Sequence, residues 1–143
     1  MINNFTRNLV VFLFLFNFFN VLYASNNYFQ EGKRLFELKK YEDSKFKFEK
    51  DIVFNPKNEK SYLYLAKIFN KEKNIDLEES NLKTVILLNP KNEEALYLLA
   101  LLSIKKSNFS KAKELIVIFE DVCDKLCLSK EELLKELKTS SNQ

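Results

Sequence analysis

Asn55-Pro56-Lys57-Asn58-Glu59 recurs residue for residue as Asn89-Pro90-Lys91-Asn92-Glu93, 34 positions further along the chain. Proline cannot continue a helix, and it biases the residue before it, Asn55 or Asn89, away from helical backbone. Asn58 and Asn92 then suit helix N-caps, and Glu59, Glu93 and Glu94 fall in a first turn, where the helix dipole favours negative charge. Each copy therefore reads as a helix stop followed by a helix start.

Aligning the chain on Pro56 and Pro90 gives successive segments of 34 residues, 25–58, 59–92 and 93–126. A fixed period of this length marks a stacked structural repeat. Large apolar residues recur at Tyr28, Tyr62 and Leu96, and small ones four later at Gly32, Ala66 and Ala100. Small residues there let two helix axes approach closely, and a bulky side chain would hold them apart. Leu35 and Phe69 continue the pattern, from which Ser103 departs; Tyr41, Ile75 and Phe109 open the second helix. Ser44 and Ala112 are small where Glu78 is not, and Phe48, Leu82 and Ile116 follow four residues on. Asp124 stands where a third closing proline would fall.

This pattern resembles the tetratricopeptide repeat (TPR), a pair of antiparallel helices per 34 residues, over about a hundred residues of the chain. The resemblance implies an all-α fold, a right-handed superhelical stack of about three helix pairs over 25–128 with a C-terminal capping helix. It also implies that the first helices line a partner-binding groove. By register that groove is formed by Phe29, Lys33, Phe36, Leu63, Lys67, Asn70, Tyr97, Leu101 and Ile104. Such a surface suits an apolar or amphipathic partner segment with an acidic group nearby. Some of these residues could instead serve the packing between repeats, and the C-terminal helix could itself fill the groove. TPR domains that clamp the terminal carboxylate of chaperones use Lys and Asn at positions held here by Phe29, Leu63 and Tyr97, so chaperone-tail binding is not expected.

Composition narrows the chemistry. The 143 residues contain no His, no Trp and a single Gly. Without His the usual general base and the commonest transition-metal ligand are missing, and Ser-His-Asp or Cys-His nucleophiles cannot be built. One Gly is too few for a P-loop or a dinucleotide-binding loop. The 20 acids are interspersed with 23 bases at helical spacing and read as a solvated face. A net charge of +3, evenly spread, does not describe a nucleic-acid surface. No enzyme activity, cofactor or metal is expected; the expected partner is another protein or peptide, with self-association as the alternative.

Residues 1–24 carry one base, Arg7, no acid, an apolar run from Leu9 to Phe16 and Ala24 before Ser25. This is the grammar of a secretory signal cut after Ala24. The alternative is an uncleaved anchor, although sixteen residues broken by Asn17 and Asn20 are short against the roughly 20 of a bilayer span. Contact with a membrane is expected only through this stretch, and the expected location is the bacterial periplasm or cell envelope. At the other end, Ser129 with Glu132 reads as a capping box and Leu128 with Leu133 as its staple, opening a capping helix over 129–138. A free amphipathic helix for a partner is the competing reading. Residues 139–143 are expected to be a disordered tail. Cys123 and Cys127, placed on one helix face, would have Cα atoms about 6 Å apart, near the upper edge for a disulfide. Two buried apolar thiols are the preferred reading and a disulfide the other.

Overall fold

The computed structural model describes residues 27–141, and every regular element among them is a helix. The expected signal or anchor over 1–24 lies outside the described residues. The chain divides into two compact units, ending at Phe54 and beginning at Asn55. The first contains α1 (Tyr28–Glu37) and α2 (Tyr41–Phe54). The second contains α3 (Glu59–Lys71), α4 (Ile75–Leu88), α5 (Glu93–Lys105), α6 (Phe109–Val122) and α7 (Ser129–Ser141). Helices α1 and α2, α3 and α4, and α5 and α6 pack as neighbouring pairs, as an all-α repeat fold requires.

The repeated pentapeptide does the same work twice. Asn58 N–H donates to Asn55 O at 2.9 Å, and Asn92 N–H donates to Asn89 O at 3.1 Å. Pro56 and Pro90 sit exposed on these turns. Asn89 is extended (φ −141°, ψ 89°), as a residue before proline should be. The two new helices start differently. Asn92 Oδ1 accepts from Ala95 N–H at 3.0 Å, whereas Asn58 makes no such cap and donates its amide to Ser61 Oγ at 3.2 Å. A hydroxyl at the third helical position competes for the asparagine, and an alanine there does not.

The turns inside each pair also repeat at 34 residues. Lys39, Lys73 and Ser107 have φ of 58°, 58° and 57°. In each, the following amide reaches back five residues: Lys40 N–H to Leu35 O, Asn74 N–H to Phe69 O and Asn108 N–H to Ser103 O. These are Schellman closures carried by residues other than glycine. Asn74 and Asn108 then cap α4 and α6 by accepting from Leu77 and Lys111 N–H, both at 3.2 Å.

In the first unit, Gly32 lies against the fully buried Phe48 ring, and Ser44 Oγ donates to Gly32 O at 2.8 Å. Tyr28 stacks on Phe54 with centroids 5.7 Å apart. In the second unit, Ala66, Leu82, Leu96, Ala100, Ala112 and Ile116 are buried in one contiguous apolar core with Phe119 and Leu133. Tyr62 is half-buried and donates its hydroxyl to Pro56 O at 3.3 Å. Two of the departures from the repeat pattern, both polar side chains buried in helices, are satisfied: Ser103 Oγ donates to Leu99 O, and Glu78 accepts from Asn70 Nδ2 at 2.9 Å.

The C-terminal region differs from the sequence expectation in three respects. First, α6 stops at Val122 with Cys123 extended (φ −63°, ψ 143°), so the cysteines lie on a loop and not on one helix face. Their Cα atoms approach to 5.1 Å and they form a disulfide, replacing the expected pair of buried thiols. Second, no staple closes over Ser129: Leu128 is 91% exposed while Leu133 is fully buried. Glu132 does not complete a capping box but accepts from the Tyr97 hydroxyl at 2.8 Å. Third, α7 runs to Ser141, past the expected end at Lys138 and through part of the expected tail. Thr139 Oγ1 and Ser141 Oγ donate to the carbonyls of Lys135 and Lys138, which gives the last turn local partners.

Candidate partner-binding face

The residues assigned to the groove by register occupy different environments. In the first unit, α1 carries Phe29, Lys33 and Phe36. Phe29 and Phe36 are half-buried, with Phe29 tilted on Phe48 at 5.8 Å and Phe36 edge-on to Tyr41 at 5.4 Å. Lys33 is exposed and 3.9 Å from Glu37.

In the second unit, α3 and α5 supply the other six. Leu63 and Ile104 are buried members of the core, so they hold helices together and do not line a free surface. Lys67 Nζ lies 2.6 Å from Glu94 Oε1 and 5.0 Å from the centroid of the Tyr64 ring. Asn70 is exposed but committed to Glu78. Leu101 is half-buried at the edge of the core. Tyr97 is half-buried, tilted on Phe119 at 6.2 Å, with its hydroxyl on Glu132 of α7. Helix α7 therefore lies against this end of α5. The Lys67–Glu94 pair joins α3 to α5, and the Glu94 side chain stays partly exposed.

The electrostatics follow from these contacts. Burial and then the neighbouring Glu132 push the Tyr97 hydroxyl up to about 12, so it stays a neutral donor. Burial raises the Glu78 carboxyl, opposed by the Asn70 amide and Lys105. Glu79 is lowered by Lys106 and Lys83. Glu93 is lowered chiefly by Asp124 N–H: its carboxylate accepts from Asp124 N–H at 2.7 Å, Lys125 N–H at 3.0 Å and Leu126 N–H at 3.1 Å. Sequence reasoning placed Glu93 and Glu94 at a helix start but assigned them no partner. Their partners lie about a repeat away, where no local spacing rule reaches. Glu79, Lys83, Lys106 and Lys111 border an open cleft of about 210 Å³ with Leu99, Leu102 and Ser103 in its wall, and each of these charges is paired. No group of three or more His, Cys, Asp or Glu side chains placed to hold a metal occurs among the described residues.

No protein-family model and no curated protein matches the chain. Solved structures do, and they show that its fold is a TPR-like helical repeat. The chain is similar to the TPR2B domain of yeast Sti1, solved as a complex with pHsp70, with a TM-score of 0.70 at 16% identity. That match covers 83% of this chain and 97% of the other. The Yersinia enterocolitica type III secretion translocator chaperone SycD gives a TM-score of 0.73 at 15% identity, covering 82% of this chain and 85% of that one. SycD has also been solved with a peptide of the translocator YopD. The first TPR of RPAP3, bound to the HSP90 peptide SRMEEVD, gives 0.68 at 17% identity over 82% and 90%.

Proposed function

We propose that this protein is a non-catalytic protein-interaction scaffold of a bacterial cell envelope. It takes an apolar or amphipathic segment of a partner on the face of α3 and α5. The observation that carries the reading is the pair of helices α3 and α5, where Lys67 and Glu94 form an ion pair between them and Leu101 of α5 is half-buried at the edge of the core. Such a face offers apolar area with polar orientation, as helix-in-groove recognition uses. Structural neighbours solved with bound peptides add weight to a peptide or protein as the partner class. Export is supported by the signal-like residues 1–24 and by the Cys123–Cys127 disulfide, since disulfides persist in oxidising compartments.

The test is cross-linked affinity capture from the native cells with the wild type and with Lys67→Glu. A partner recovered by the first and lost by the second, with equal thermal melting of the two proteins, supports the reading. Equal recovery overturns it. The alternative, a membrane-anchored subunit that self-associates, draws on exposed Leu87 (82%) and Val117 (59%) of the second helices. N-terminal sequencing of the native protein separates the two: a start at Ser25 favours the scaffold, and a start at Met1 the anchored subunit.

A further inference from the structure

The loop from Cys123 to Cys127 is small, closed by its disulfide, and wrapped around one carboxylate. Consecutive amides of Asp124, Lys125 and Leu126 converge on Glu93, the first residue of α5. Such a run of convergent N–H groups forms an anion-holding nest, and it exists only while the loop keeps its turn. The same turn passes directly into α7: Ser129 N–H donates to Leu126 O and Lys130 N–H to Cys127 O. Beyond the loop, α7 is attached by Leu133 and Leu137 in the core, by Glu132 on Tyr97 and by Lys130 on Glu120. A helix of 13 residues is marginal without its packing partners.

We propose that the Cys123–Cys127 disulfide is a redox latch that holds α7 over the Tyr97 end of α5 and so sets how much of that face a partner can reach. The inference rests on the partner-face reading above for its consequence, though not for its mechanism. Cys127 is exposed, so a dithiol reductant can approach. One thiolate of the dithiol attacks a sulfur of the pair and the Cys123–Cys127 bond breaks, leaving a mixed disulfide and one freed thiolate, which takes up a proton. The second thiol of the reductant resolves the mixed disulfide. Two electrons and two protons pass to Cys123 and Cys127, and the reductant leaves as a disulfide. The loop then loses its closure, the nest around Glu93 loosens, and α7 loses the anchor at its first turn.

The experiment is hydrogen–deuterium exchange on the full chain, oxidised, reduced with dithiothreitol, and reoxidised. Cross-linking this short loop restricts the open state enough that exchange over Leu133–Leu137 should quicken on the order of tenfold on reduction and return on reoxidation. Amides of α3 and α4 should not change. Cys123→Ser/Cys127→Ser should behave as the reduced protein, and Glu93→Gln, with the disulfide intact, should quicken exchange over 124–137 alone. Unchanged exchange in α7 on reduction, or an equal rise throughout α3 to α6, overturns the latch. The measurement involves no partner, so a failed latch shows in α7 exchange. A failed partner-face reading shows instead as capture indifferent to Lys67→Glu.

Discussion

A methyl group placed on Gly32 would lie 2.9 Å from the nearest carbon of the Phe48 ring, closer than real Cβ contacts run. The ring is fully buried and cannot swing into solvent. Alanine gains about 1 kcal/mol of helix propensity over glycine, while overpacking costs roughly 1–3 kcal/mol. The clash should win, so Gly32→Ala is expected to lose about 1 kcal/mol in denaturant unfolding. Adding Phe48→Leu should recover part of the loss, and strict additivity of the two changes would sink the contact as its cause. Glu78 is the opposite case, a large ionisable group where the repeat pattern wants a small one. It is 4% exposed, and burial raises its carboxyl above the ordinary value. A carboxyl raised in the folded state binds its proton more tightly there than in the unfolded chain. Its ionisation therefore removes stability as pH rises from the unfolded value through the folded one. Glu78→Gln keeps an acceptor for Asn70 and removes the buried charge. Its melting temperature should exceed the wild type at pH 7, with the difference shrinking below the ordinary carboxylate range. A constant difference across pH would mean that Glu78 does not titrate as its burial implies.

At the scale of elements, the unforeseen feature is the turn between the paired helices. With one glycine in the chain, nothing in the sequence marks residues 39, 73 and 107 as left-handed. The period does mark them in retrospect, since each lies 34 residues from the next. A non-glycine residue in this conformation costs on the order of 1 kcal/mol, and all three are exposed. Lys73→Gly and Ser107→Gly should therefore each stabilise the fold by about 0.5–1 kcal/mol, the reverse of the usual effect of glycine. Chemical denaturation midpoints check this, and a fall in either would deny the strain. Helix boundaries were legible for the opposite reason. Proline and the small residues at 32, 66 and 100 act through local geometry and close approach, which spacing records. Asn74 and Asn108 were equally local but went unread as caps, because the register was set on Pro56 and Pro90. The disulfide loop was out of reach: it depends on α6 ending at Val122 and on Glu93, 31 residues before the first amide it accepts from. Register likewise named Leu63 and Ile104 as groove residues, but whether a groove position faces solvent depends on its spatial neighbours, and both are buried.

For the whole molecule, each repeat cannot bury its apolar face alone, and stability accumulates from neighbour to neighbour. The two units are unequal in this respect. Leu35 and Phe48 are the buried large apolar side chains described in α1 and α2, whereas α3 to α7 share a contiguous core that includes Leu82, Leu96, Phe119 and Leu133. A domain with its own core can fold by itself, and chains below about 40 residues seldom manage without cross-links or metals. Residues 55–143 produced alone should therefore keep helical circular dichroism and a single cooperative thermal transition, with the Cys123–Cys127 disulfide formed. A peptide of residues 27–54 should show little helix at the same temperature. The comparison is informative because both pieces carry similar local signals: capping acids, helix-forming lysines and glutamates, and a Schellman turn. If propensity were decisive, both would be helical. If a shared core is decisive, the longer piece alone will be. A gradual, non-cooperative melt of residues 55–143 would mean that the core of α3 to α7 is not self-sufficient and that the boundary at Asn55 has no energetic meaning.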